Sequence, residues 1–161
     1  DTDGMLRDAD TLLNKVDSEV YVKIPVTMEG IKTIKLLKAQ NIHVTGTAIY
    51  SKQQGFLAME AGADCIAPYF NRMENMGINS DDVIASLAEM IDLYHYNTEI
   101  LAASFKNAGQ VDRAFLAGAQ TATMDPSILE TALTFSHITS AVDAFEQDWK
   151  AIYGDKTLSD L

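Results

Sequence analysis

The chain has one cysteine, Cys65, in 161 residues. A single thiol excludes an intramolecular disulfide and fits a reducing compartment, so the chain reads as cytoplasmic. Proline is scarce, at three, and glycine stands at nine, while 47% of residues are hydrophobic. That balance excludes a disordered or collagen-like chain. No apolar run reaches the ~20 residues that a membrane-spanning helix needs. Basic residues are few: 12 Lys and Arg face 23 Asp and Glu, for a formal net charge of −11. This argues against sequence-independent binding to nucleic acid or to an anionic membrane. It leaves room for an anionic small molecule wherever a few cations converge. His43, His95 and His137 have no metal-like spacing to one another or to Cys65, which argues against a metal site. Gly-x-Gly-x-x-Gly, the P-loop and Gly-x-Ser-x-Gly are all missing. The opening Asp1-Thr2-Asp3-Gly4 lacks the charged and apolar regions of a signal peptide. The first residue is not methionine, so a processed chain or a segment of a longer one is expected.

What is present is an alternation of helices and short strands. Residues 3–16 carry Met5, Leu6, Ala9, Leu12, Leu13 and Val16 at helical spacing. A strand over 20–26 follows. Thr27-Met28-Glu29-Gly30 opens a helix with Ile31, Ile34 and Leu37 on one face and three lysines on the other. Residues 42–49 read as a strand, and Ser51 as the N-cap of a helix over 52–61. A strand over 65–70, a loop over 71–79 and a helix over 81–95 capped by Ser80 or Asp81 come next. A strand over 99–105, a helix over 108–117, a short strand over 121–124 and helices over about 126–133 and 138–153 complete the pattern. Ala61-Gly62-Ala63 and Ala117-Gly118-Ala119 end their helices in equivalent places, where glycine takes the left-handed conformation.

Such alternation implies a parallel sheet, either open and doubly wound or part of a (βα)8 barrel. Alternation within the strands favours the barrel, because each strand shows one apolar face and one face of small or polar groups. In 42–49 the apolar set is Ile42, Val44, Gly46 and Ala48; in 99–105, Leu101, Ala103 and Phe105 oppose Ile100, Ala102 and Ser104. The inward faces would then carry Lys23, Thr47, Tyr69 and Ser104, one from each of four successive strands, with Arg72 and Lys106 just beyond two strand ends. Lys23 stands out, since it interrupts the most strand-like run present, Val20 to Val26. A lysine there is either an edge charge or an employed amine. Burial would lower its pKa and make it a nucleophile able to form a Schiff base. An amine, a hydroxyl, a phenol and cations around one mouth suit imine chemistry on a phosphorylated carbonyl compound. Cys65 reads as packing as a small hydrophobe, and the Met73 and Met76 loop as a mobile rim.

Five segments are more specific than spacing: Val22-Lys23-Ile24-Pro25-Val26-Thr27, Gly46-Thr47-Ala48-Ile49-Tyr50-Ser51, Ala67-Pro68-Tyr69-Phe70-Asn71-Arg72, Leu101-Ala102-Ala103-Ser104-Phe105-Lys106 and Phe145-Glu146-Gln147-Asp148-Trp149-Lys150. In order, from about residue 4 to 153, they resemble the fructose-6-phosphate aldolase branch of the transaldolase family. The resemblance implies a (βα)8 TIM barrel of the class I aldolase type that works without metal or organic cofactor. It implies that Lys23 is the Schiff-base lysine, that Tyr69 and Thr47 hold the water used for proton transfer, and that Arg72 and Ser104 contact phosphate, with Lys106 adjoining them. Tyr69 favours the aldolase branch, since transaldolases proper commonly carry phenylalanine there. The family's first three βα units have no counterpart in residues 1–161, so the expected architecture is a partial barrel of about five parallel strands plus a C-terminal helix. Residues 1–161 are expected to form a single domain, with 135–161 as C-terminal helix and tail. That helix aligns Ile138, Val142, Phe145, Trp149 and Ile152, a stripe for its own barrel or for a neighbouring subunit; the resemblance implies a homo-oligomer, often ring-shaped. The implied activity is cleavage or formation of the C3–C4 bond of a ketose phosphate. The alternatives are transfer of a dihydroxyacetone unit between sugar phosphates in the pentose phosphate pathway, and an inactive barrel fragment.

Overall fold

A computed structural model describes all of residues 1–161. Its regular elements are α1 (Thr2–Lys15), β1 (Val22–Pro25), α2 (Met28–Lys38), β2 (Val44–Ile49), α3 (Lys52–Glu60), β3 (Cys65–Pro68), α4 (Phe70–Asn75), α5 (Ser80–Tyr94), β4 (Glu99–Ala102), α6 (Ala108–Leu116), β5 (Thr121–Ala122), α7 (Pro126–Leu133) and α8 (Ser136–Tyr153). The five strands form one sheet in the order β1-β2-β3-β4-β5, every pair parallel. This is the partial TIM barrel that the alternation of helices and strands implies.

Two compact units divide the chain, Asp1–Met124 and Asp125–Leu161. In the first, the strands' apolar faces build the core. Val22, Ile24, Val44, Ile66 and Ile100 are buried, and Ile34, Leu37, Ile84 and Leu87 supply it from α2 and α5. The helices begin where capping chemistry allows. Thr27, Ser51, Asn79 and Asn107 each accept a hydrogen bond from a backbone amide in the first turn of α2, α3, α5 and α6. Gly62 and Gly118 turn the chain at φ 92° and 105° after α3 and α6, as the two Ala-Gly-Ala segments predict. In the second unit Asp125 caps α7, and Trp149 of α8 packs its ring on Tyr153 and donates its Nε1–H to Lys156 O. No helix is long and apolar enough to cross a membrane.

Three local expectations change. The segment expected as a loop over 71–79 begins with α4. Phe70 and Met73, one turn apart, are both buried at 0% exposure, so Met73 is core and not a mobile rim. The cap of α5 is Asn79; Ser80 is buried instead and donates its hydroxyl to Phe70 O, tying the start of α5 to α4. The fourth strand stops at Ala102, and the chain turns at Ser104 with φ 64°.

Candidate functional site

Parallel pairing places register partners on the same face of the sheet. Pro25 pairs with Thr47, Lys23 with Thr45, Thr45 with Cys65, and Tyr69 bridges Ala103. Lys23, Thr47 and Tyr69 therefore share the face turned away from the helices, as the alternation predicts. Ser104 does not reach that face by alternation. The register puts Leu101 and Ala103 there, so the expectation that Ile100, Ala102 and Ser104 point inward is overturned. Ser104 joins the site because its backbone leaves the strand in the left-handed region, which swings the side chain round. A similar break occurs at Ala48, φ 57°: the register shifts between Gly46 and Ile49, and Ile49 returns to the core.

The C-terminal ends of these strands surround an open cavity of about 280 Å³, lined by Lys23, Tyr69, Arg72, Ala103, Ser104 and Thr123. Its lining holds two cations and three hydroxyls but no carboxylate, in a chain of net charge −11. Thr47, buried beside it, donates its hydroxyl to Tyr69 Oη at 3.1 Å, which leaves the phenol proton available. The Arg72 guanidinium lies over the Tyr69 ring, 4.8 Å from its centroid, and donates to Tyr50 Oη at 3.4 Å. That bond to Tyr50, first among several contacts, raises the Arg72 pKa further above its already high value. Tyr50 in turn meets Tyr69 edge to face at 5.7 Å. Phe70 N–H donates to Ala103 O and Asn71 N–H to Ser104 O, so the backbone itself joins the turns that carry Arg72 and Ser104.

A family profile described as Transaldolase/Fructose-6-phosphate aldolase matches residues 1–156. The chain belongs to this family. It is 44% identical over 158 residues to a protein of Streptococcus pneumoniae (strain ATCC 700669 / Spain 23F-1) described as "Probable fructose-6-phosphate aldolase". That match covers 98% of this chain and 71% of the relative.

Two expected site residues sit differently from the rest. Lys23 is exposed, because β1 is the outermost strand and the Lys23 side lies away from the helices. Residues 1–161 therefore do not bury its amine. Lys106 is also exposed, two residues past Ser104, and does not line the cavity; its backbone N–H donates to Gln110 Oε1 at 2.8 Å. Sequence reasoning missed Tyr50 and Thr123 as neighbours of the site. Tyr50 stood inside a quoted segment, but nothing in its spacing shows that it reaches Arg72, and Thr123 lies just past a two-residue strand.

Other hollows lack this chemistry. At the N-terminal ends of the strands, Tyr21, His43, Asp64, Cys65, Tyr96, Thr98 and Glu99 border a space of about 300 Å³. There burial first, then the Glu99 and Asp64 carboxylates, push the Cys65 thiol up, away from the nucleophilic thiolate. A space of about 360 Å³ beside α5 and α6 includes Asp81, Asp82 and Arg113, whose charges are already paired: Arg113 with Asp81 and Glu74, and Asp82 with Lys52.

Proposed function

We propose that the protein is a class I aldolase that cleaves or forms the C3–C4 bond of fructose 6-phosphate, with Lys23 as Schiff-base nucleophile. One observation carries this reading: an amine, a phenol and a guanidinium border one cavity at the strands' C-terminal ends, where barrel enzymes keep their chemistry. Lys23 Nζ attacks the C2 carbonyl of the ketose, and loss of water gives an iminium. The C4 hydroxyl proton leaves to a base, the C3–C4 bond breaks, and its electron pair flows into the iminium to give an enamine. Glyceraldehyde 3-phosphate departs. Protonation of the enamine at C3 and hydrolysis then release dihydroxyacetone and free Lys23. Tyr69, oriented by Thr47, is the group suited to pass protons, directly or through a water. Arg72 and Ser104 are suited to the phosphate, and Lys106, two residues past Ser104, is assigned to the same anion as a further cation. Tyr69 and the relative's printed description both favour aldolase over transaldolase. The α8 stripe suits a homo-oligomer, in keeping with the family resemblance.

The test is reductive trapping. Dihydroxyacetone with borohydride should add a covalent mass to the peptide containing Lys23, and Lys23→Ala should abolish it. A label on another lysine, or none, refutes the assignment.

A further inference from the structure

The turns after β2 and β4 are built on one plan. Each strand end passes through a non-glycine residue in the left-handed region, Ala48 at the bulge just before the end of β2 or Ser104 two residues past β4. Each then buries one apolar side chain, Ile49 at 0% exposure or Phe105 at 7%. Each helix that follows has a polar N-cap, Ser51 or Asn107, whose side chain accepts from the amide of Gln54 or Gln110. That glutamine reaches back past the cap: Gln54 Oε1 accepts from Tyr50 N–H at 3.0 Å, and Gln110 Oε1 from Lys106 N–H at 2.8 Å.

An ordinary cap is complete at this point. The side-chain NH₂ groups do something further, because both reach the turn of the preceding strand. Gln54 Nε2 donates to Val26 O at 3.0 Å, in the turn after β1. Gln110 Nε2 donates to Asn71 Oδ1 at 3.0 Å and to Glu74 Oε2 at 2.5 Å, on α4 after β3. Asn71 and Glu74 flank Arg72 on both sides, and Gln110 is itself buried, at 6% exposure. A buried amide whose NH₂ and carbonyl are both directed at site-forming turns is costly to leave unsatisfied and geometrically restrictive once satisfied.

We propose that Gln54 and Gln110 are positioning residues, each stapling one strand-end turn to the turn before it. Gln54 holds the half of the mouth that follows Lys23 and Thr47, and Gln110 holds the half that carries Arg72 and Ser104. The inference rests on the functional reading above and adds a division of labour: the Gln110 staple governs affinity for the phosphate, and the Gln54 staple governs presentation of the amine.

Glutamate is the discriminating substitution. It keeps an oxygen for the Tyr50 or Lys106 N–H, so the helix cap survives, but it removes the NH₂ donor. At position 110 it also sets a carboxylate against Glu74. Inorganic phosphate would be titrated into wild type, Q110E and Q54E, following the amide resonances of Arg72 and Ser104, beside borohydride trapping of dihydroxyacetone at Lys23. Q110E should weaken phosphate about tenfold and leave trapping within about twofold of wild type; Q54E should do the reverse. Two variants that both behave as wild type, or that lose both functions alike, overturn the proposal. Should Q110E not fold, Asn71→Ala removes an acceptor of the same staple from the facing turn and must weaken phosphate in the same sense; unchanged binding overturns the proposal. A wild type that neither binds phosphate nor traps the ketone refutes the underlying functional reading, and the staples' assigned roles fall with it.

Discussion

Gly30→Ala sets two physical effects of opposite sign against each other. Gly30 lies in the first turn of α2, and by helix propensity alone alanine there is better by about 1 kcal/mol. The structure says otherwise. A Cβ at Gly30 would sit 1.8 Å from Pro25 O and 3.0 Å from Pro25 C, and real Cβ atoms essentially never come within 3.0 Å of such neighbours. The obstacle is backbone, so no side chain can rotate away. Either α2 or the end of β1 must retreat by roughly 1 Å, and Pro25 is two residues from Lys23. Overpacking of this kind costs about 1–3 kcal/mol, and a rigid obstacle puts it at the upper end. After the gain in propensity the net loss is about 2 kcal/mol, which corresponds to a fall in Tm of about 4–8 °C for a chain of this size. Urea and thermal melts followed by circular dichroism measure it, with trapping at Lys23 as the functional readout. A variant that melts at or above wild type would show that α2 does not press on β1 as described.

Tyr69→Phe keeps the ring beneath Arg72 but removes the hydroxyl that Thr47 contacts; turnover should fall by about 10²-fold, and binding of inorganic phosphate should hold within about twofold. Loss of both together would mean that the phenol orders the site and does not move protons. Bonds to the Lys32 side chain and then to Thr2 lower the Glu29 carboxyl from 4.5 to about 2. The folded pKa lies below the unfolded one, so the tie between Thr2 of α1 and Glu29 of α2 is fully present above pH 4.5 and is lost as pH falls toward 2. A carboxyl-carbon NMR titration of Glu29 with its midpoint near 4.5 would refute that contact.

The parts of the fold legible in the sequence are those written in periodicity and capping. β1 through β5, the helix starts at Thr27 and Ser51 and the glycine turns at Gly62 and Gly118 follow from residue type and spacing alone. α4 was not legible, because six residues are too short to show a helical period and Asn71, Asn75 and Gly77 carry turn chemistry. Ser104 was assigned to the right cavity for the wrong reason. Strict alternation holds only while the strand lasts, and the left-handed residue that ends it depends on packing around Phe105 and Gln110. Lys23 is exposed within residues 1–161 because β1 is an edge strand of their five-stranded sheet, a position that the expected partial barrel already implied. The glutamine staples left no mark that single-sequence reading could find, since each joins residues in different βα units.

The order of the strands across the sheet, β1 to β5 without interruption, has a consequence for how the protein acquires its structure. Each strand pairs first with the strand made just before it, so every ladder can zip as soon as one intervening helix has left the ribosome. Among β1 to β5, no early strand waits for a late one to be inserted beside it. The loop closed at each step is one βα unit, a modest entropic cost compared with pairing distant segments. Each new strand from β2 to β5 covers the free edge of the strand before it, which limits the unpaired backbone that a folding intermediate exposes to other chains on that side.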